Sequence, residues 1–154
     1  MLAEQTILTG KDTKNVVVLI FNEKPNEMEA TLVNIERVVE SGAPLGGTKV
    51  DVTTSIPAEA MNAYSKCFEG YVGAKITPLA LLATKVTKGT NYVFFAEMVP
   101  VYPDAKAQAM LITVNDMTKE VSFVDLLASK HEVALGYSFT WLKNGLGKPL
   151  GEWP

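Results

Sequence analysis

A chain of 154 residues, 47% hydrophobic and 20% charged, has the length of one domain and enough apolar material for a packed core. A formal net charge of -3 gives no electrostatic reason to expect a nucleic-acid partner. A single cysteine, Cys67, excludes an internal disulfide and a cysteine-based metal cluster.

The acidity is confined to residues 1–47, which carry four Lys/Arg against seven Asp/Glu, whereas residues 48–154 carry ten of each. That distribution reads as a solvated surface. No stretch approaches the roughly 20 apolar residues of a membrane helix, so no membrane insertion is expected. Residues 1–5 lack the basic start and apolar run of a signal peptide, and the compartment stays open.

Residues 1–14 have no periodicity and are expected to fray. Residues 16–21 form an apolar, β-branched run that predicts a buried strand, and residues 22–26 supply a turn. Residues 27–40 fit two patterns. Met28, Leu32, Ile35 and Val39 keep helical spacing, while Thr31, Val33, Ile35, Arg37 and Val39 alternate as in a strand. Residues 41–47, rich in glycine with one proline, read as a linker.

A helix follows, with Ser55 as N-cap, Pro57 in its first turn and Glu59 at the end where the dipole favours an anion. Met61, Tyr64, Cys67 or Phe68, and Tyr71 recur on one face, and Gly70 supplies the stop. Residues 76–101 then predict one long antiparallel hairpin with its tip near 87–90. A turn at 102–105 leads to a strand over 107–114, a turn at 115–119 and a strand over 121–127. This order predicts an α+β fold: one helix packed across an antiparallel meander of four or more strands, covered on one face. Leu135, Tyr137, Phe139 and Trp141 alternate as a further edge strand would, before an irregular glycine-rich end.

The strand at 17–23, ending in Asn22-Glu23, echoes 110–116, ending in Asn115-Asp116. Each precedes a polar turn and an alternating strand, which favours an extra N-terminal hairpin over a helix at 27–39. The division that follows is an N-terminal extension at 1–47, a core at 48–130 and a C-terminal strand with irregular tail at 131–154.

The stretch LLATKVTKGTNY at 81–92 and the segment FEGYVG at 68–73 carry a family resemblance. A helix followed by four antiparallel strands, with a Q-x-V-x-G hairpin leading into a T-N-Y strand start, resembles the cystatins. It is closest to small bacterial cystatin-like domains that join an F/L-E-G-L-V-G helix end to a V-A-G-T-N-Y hairpin. LGG at 45–47 and LGEW at 150–153 resemble the L-G-G-W segment bordering such domains. The resemblance covers residues 55–128. It implies that the hairpin tip inserts into a papain-like protease cleft, aided by a second hairpin carrying Pro-Trp. Lys85, Thr87 and Gly89 stand at the family's Gln, Val and Gly, so only the glycine is shared, and residues 115–119 hold no tryptophan.

Catalytic chemistry has little to stand on. His131 is the only histidine and reads as a surface residue, and Cys67 on the apolar helix stripe reads as a buried inert thiol. The GLGKP segment at 145–149 lacks the spacing of a phosphate loop. Glu97 and Asp125 interrupt apolar strands and could serve a cavity as acid and base, but solvent-facing or edge charges that discourage strand addition are the favoured explanation.

The expectation is therefore a non-enzymatic protein-binding module without cofactor or metal, acting with another protein as partner, with self-association through sheet edges open. Two surfaces are candidates: the hairpin tip with Lys85, Thr87, Lys88 and Gly89, and the aromatic segment with Tyr137, Phe139 and Trp141. The alternatives are a cysteine-protease inhibitor acting through residues 85–89 and a small cavity enzyme of the related cone-shaped folds.

Overall fold

A computed structural model describes residues 1–9, 11–24, 29–42 and 47–126. Nine elements follow in order: β1 (Leu2–Thr9), β2 (Lys11–Lys24), β3 (Glu29–Val39), β4 (Thr48–Thr53), α1 (Ala58–Cys67), β5 (Ala74–Thr87), β6 (Gly89–Pro100), β7 (Gln108–Asn115) and β8 (Val121–Asp125). They make two antiparallel sheets, β1-β2-β3 and β4-β5-β6-β7-β8. The protein is thus mixed α+β, with one helix among the described residues.

The five-stranded sheet is apolar on both faces because successive side chains on β6 and β7 alternate between two cores. Tyr92, Phe94 and Ala96, with Met110, Ile112 and Val114, face α1 and its Ala60 and Ala63. Phe95, Ala109 and Leu111 face the other way, onto Leu2, Val16, Val18 and Val39 of the three-stranded sheet. Two alanines at the helix contact let its backbone approach the sheet closely. The result is three layers, helix on sheet on sheet.

The expected meander is present with an additional strand, β4, ahead of the helix. Its short TKVDVT sequence gives only Val50 a buried position, a weak periodic signal. Coverage on one face is corrected to coverage on both. Residues 1–9 do not fray; β1 pairs with β2 from Leu2↔Val18 to Thr9↔Lys11. Residues 29–39 are a strand, paired with β2, and the N-terminal hairpin belongs to its own sheet. Of the turn expected at 22–26, residues 22–24 instead continue β2, because they pair with residues 29–31 of β3; residues 25–26, residues 43–46 of the linker expected at 41–47, and the strand and tail at 131–154 lie outside the described residues.

The helix differs from expectation at its start and along its buried face. Pro57, not Ser55, is the N-cap, and no side chain caps the helix. Ser55 instead donates its N–H to Thr53 Oγ1 at 3.1 Å. Ala60 and Ala63 are the fully buried positions, and Tyr64, Cys67 and Phe68 of the predicted stripe pack partly buried against the same core. The helix ends at Cys67 with Phe68 as its C-cap, and Gly70, the expected stop, lies in the turn just beyond at φ +75°. On β5, register shifts lie between Pro78 and Ala80 and between Leu81 and Ala83. Bulges of this kind bend a strand and accommodate its proline.

The first residue closes the three-stranded sheet. The Met1 ammonium donates to Leu19 O at 2.8 Å, and Leu19 N–H donates to Met1 O at 2.7 Å. Burial lowers the pKa of the Met1 ammonium from its ordinary 8.0 to about 4. The folded chain therefore releases a proton that the unfolded chain keeps between these values. Its contribution to stability is greatest above pH 8 and falls as pH drops toward 4. For a polypeptide beginning at Met1, N-terminal acetylation should reduce the loss of melting temperature between pH 8 and pH 5. Identical pH profiles for acetylated and free forms, compared by differential scanning calorimetry, would contradict this burial.

Candidate functional site

The tip of the β5–β6 hairpin and the turn between β7 and β8 lie side by side at one end of the five-stranded sheet. Asn115, the last residue of β7 and only 5% exposed, joins them. Its Nδ2 donates to Asn91 Oδ1 at 2.7 Å, to Lys88 O at 3.1 Å and to Thr87 Oγ1 at 3.3 Å. Its Oδ1 accepts the N–H groups of Met117 and Thr118, both at 2.8 Å. One amide thus bonds both turns, satisfying groups that would otherwise be costly to bury. Asp116 adds a second link: its Oδ1 accepts Thr90 N–H at 2.8 Å, and its own N–H donates to Thr90 O at 3.1 Å.

Gly89 is explained by this contact. Its φ of +83° suits a tight turn, and a Cβ there would meet Asp116 Oδ1 at 2.5 Å and Met117 Cβ at 2.6 Å. Lys85, Thr87 and Lys88 are exposed around it, so the predicted tip residues do share one surface. The same end exposes two apolar side chains that sequence reading had not singled out, Val86 at 70% and Met117 at 62%. Neither lies in a periodic position that sets it apart. Asn115 could have been suspected from the Asn-acid ending shared with Asn22-Glu23, yet Asn22 is exposed and only Asn115 is buried.

Cys67 is half-buried and donates its thiol to Asn115 O at 3.4 Å. Burial is the largest influence and pushes the thiol pKa up, away from nucleophilic character. Glu97 and Asp125 stand on opposite faces of the sheet: Glu97 pairs with Ala109 and Asp125 with Met110, adjacent residues of β7. A groove lined by Asn91, Thr113, Glu120, Val121 and Ser122 contains neither. Among the described residues no group of three His, Cys, Asp or Glu is placed to hold a metal ion. No described helix is long and apolar enough to cross a membrane. Tyr137, Phe139, Trp141 and His131 lie outside the described residues.

No family model, curated protein or solved structure matches the chain.

Replacing Asn115 by Ala removes five hydrogen bonds from a buried position, and the expected loss is about 2–4 kcal/mol in urea unfolding. Gly89→Ala should cost at least about 1–2 kcal/mol from its φ alone. An Asn115→Ala variant as stable as the parent would show that the two turns are not clamped.

Proposed function

We propose that the chain is a non-enzymatic protein-interaction module of cystatin-like design, which contacts its partner through the paired turns around Gly89 and Met117. The observation that carries this reading is the Asn115 clamp beneath exposed Val86 and Met117. A buried amide fixes the backbone of both turns while they present apolar side chains to solvent. Preorganisation of this kind lowers the ordering cost of association. Exposed apolar groups rimmed by Lys85, Lys88 and Lys119 form a surface suited to a partner.

The helix crossing four consecutive antiparallel strands, β5 to β8, is what supports the cystatin-like reading over other α+β designs. A second reading, inhibition of cysteine proteases, draws on the adjacency of the two turns, since the resemblance implies two hairpins acting together. Lys85 and Thr87, where the family has Gln and Val, change the chemistry of that surface and make general protein binding the preferred reading.

Val86→Asp combined with Met117→Asp should leave the melting temperature nearly unchanged and abolish retention of a specific protein from native lysate on the immobilised chain. Retention of the same proteins by both forms would contradict this placement. Titration of papain distinguishes the second reading: absence of inhibition at micromolar chain removes it without touching the first.

A further inference from the structure

Residues 16–21, VVVLIF, are apolar without interruption, the pattern of a strand buried on both faces. One face of β2 is accounted for: Val16, Val18 and Ile20 pack in the core between the two sheets. Alternation turns Val17, Leu19 and Phe21 to the outer face of the three-stranded sheet. Their register partners Ala3, Ile35 and Leu32 share that face, as do Gln5 and Asn15.

This outer face is closed at its centre. Val17 is 2% and Asn15 4% exposed, and Leu19 and Phe21 are half-buried, although neither described core contains them. Gln5 Oε1 is shut off from water and makes no hydrogen bond among the described residues. At the rim, Leu32 and Ile35 are exposed. An apolar face of this extent calls for a cover.

The short connections cannot supply it. The pairs Thr9↔Lys11 and Lys24↔Glu29 tether residues 10 and 25–28 about 20 Å along the strand from Val17. A four-residue segment held at both ends extends only about 7 Å. Residues 43–46 begin near Asn15, since Ser41 N–H donates to Asn15 Oδ1 at 3.0 Å and Gly42 N–H to Thr48 O at 3.1 Å. They bring one large apolar side chain, Leu45, to a face that runs about 20 Å from Asn15 to Phe21.

We propose that the cover is the chain's own C-terminal segment, with Tyr137, Phe139 and Trp141 laid over Val17, Leu19 and Phe21. Both triplets place a side chain at every second position over about 13 Å, so an extended segment matches the strand beneath it. The connection is long enough. Leu126 is buried between the sheets, and the residues from there to Tyr137 reach about 36 Å, whereas passing one sheet and adding a layer needs about 20 Å. Tyr137 and Trp141 also bring an O–H and an N–H, donors that suit the buried Gln5 Oε1. The aromatic segment then completes the fold instead of offering a free binding surface. The reading of the paired turns stands or falls separately, because they lie at the end of the other sheet.

The test uses the full chain with Trp153→Phe, which leaves Trp141 as the single tryptophan. Its emission in the native chain should be blue-shifted from that of the urea-unfolded chain, independently of protein concentration. In a Cys67→Ser background, a nitroxide on Arg37→Cys, at the rim of the outer face, should quench Trp141 more strongly than one on Val124→Cys, which is nearer in sequence but on β8. Both sites are exposed, so labelling leaves the cores intact. A native emission equal to the unfolded one overturns the proposal, as does quenching from Arg37→Cys no stronger than from Val124→Cys. A blue shift that appears only as concentration rises overturns it too, because a second copy then supplies the cover.

Discussion

Phe94 and Phe95 follow one another on β6, leave the strand on opposite faces, and are both fully buried. The same demand recurs on β7, where Leu111 and Ile112 are adjacent and both buried. Each such side chain is worth about 1.5–3 kcal/mol when removed from water, and a sheet carrying them on both faces needs two covers. The ten-residue helix supplies one. Residues from β1, β2 and β3 supply the other, so the N-terminal third of the chain completes the core.

That requirement was legible in part. The long hairpin, its tip at Gly89, the turn at Gly70 just beyond the helix and the β7–β8 hairpin follow from turn residues and alternating runs, which act locally. Of the second cover, the β2–β3 hairpin was legible in the apolar run at 16–21 and the alternation at 31–39, whereas β1 was not, since residues 1–14 have no apolar period. That strand exists because its backbone pairs with β2 and Leu2 reaches the core. Tertiary pairing overrides weak local preference there. β4 escaped notice for the same reason. On the helix, Tyr64, Cys67 and Phe68 were read correctly as core-facing, but Ala60 and Ala63 were missed because alanine is a weak hydrophobic signal, although close packing against a sheet favours it.

At the candidate site, the sequence located the turn but not what holds it. Gly89 is explained twice, by its positive φ and by the approach of residues 115–117, and only the first reason is visible locally. Asn115 acts across 24 to 28 residues of chain, on Asn91, Lys88 and Thr87. Long-range polar contacts of this kind leave no periodic trace. The consequence for function is a rigid end built from two turns, whose exposed Val86 and Met117 are set by a clamp beneath them. Glu97 and Asp125 project from opposite faces of the sheet, so the two carboxylates do not share one face.

The central claim is that both faces of the five-stranded sheet are buried, and adjacent positions on β7 test it most directly. Leu111→Asn places an amide against the three-stranded sheet, and Ile112→Asn places one against the helix. Urea unfolding of the two variants should show losses of similar size, each about 3 kcal/mol or more. A Leu111→Asn variant as stable as the parent, beside an Ile112→Asn variant that unfolds, would mean that only the helix covers the sheet.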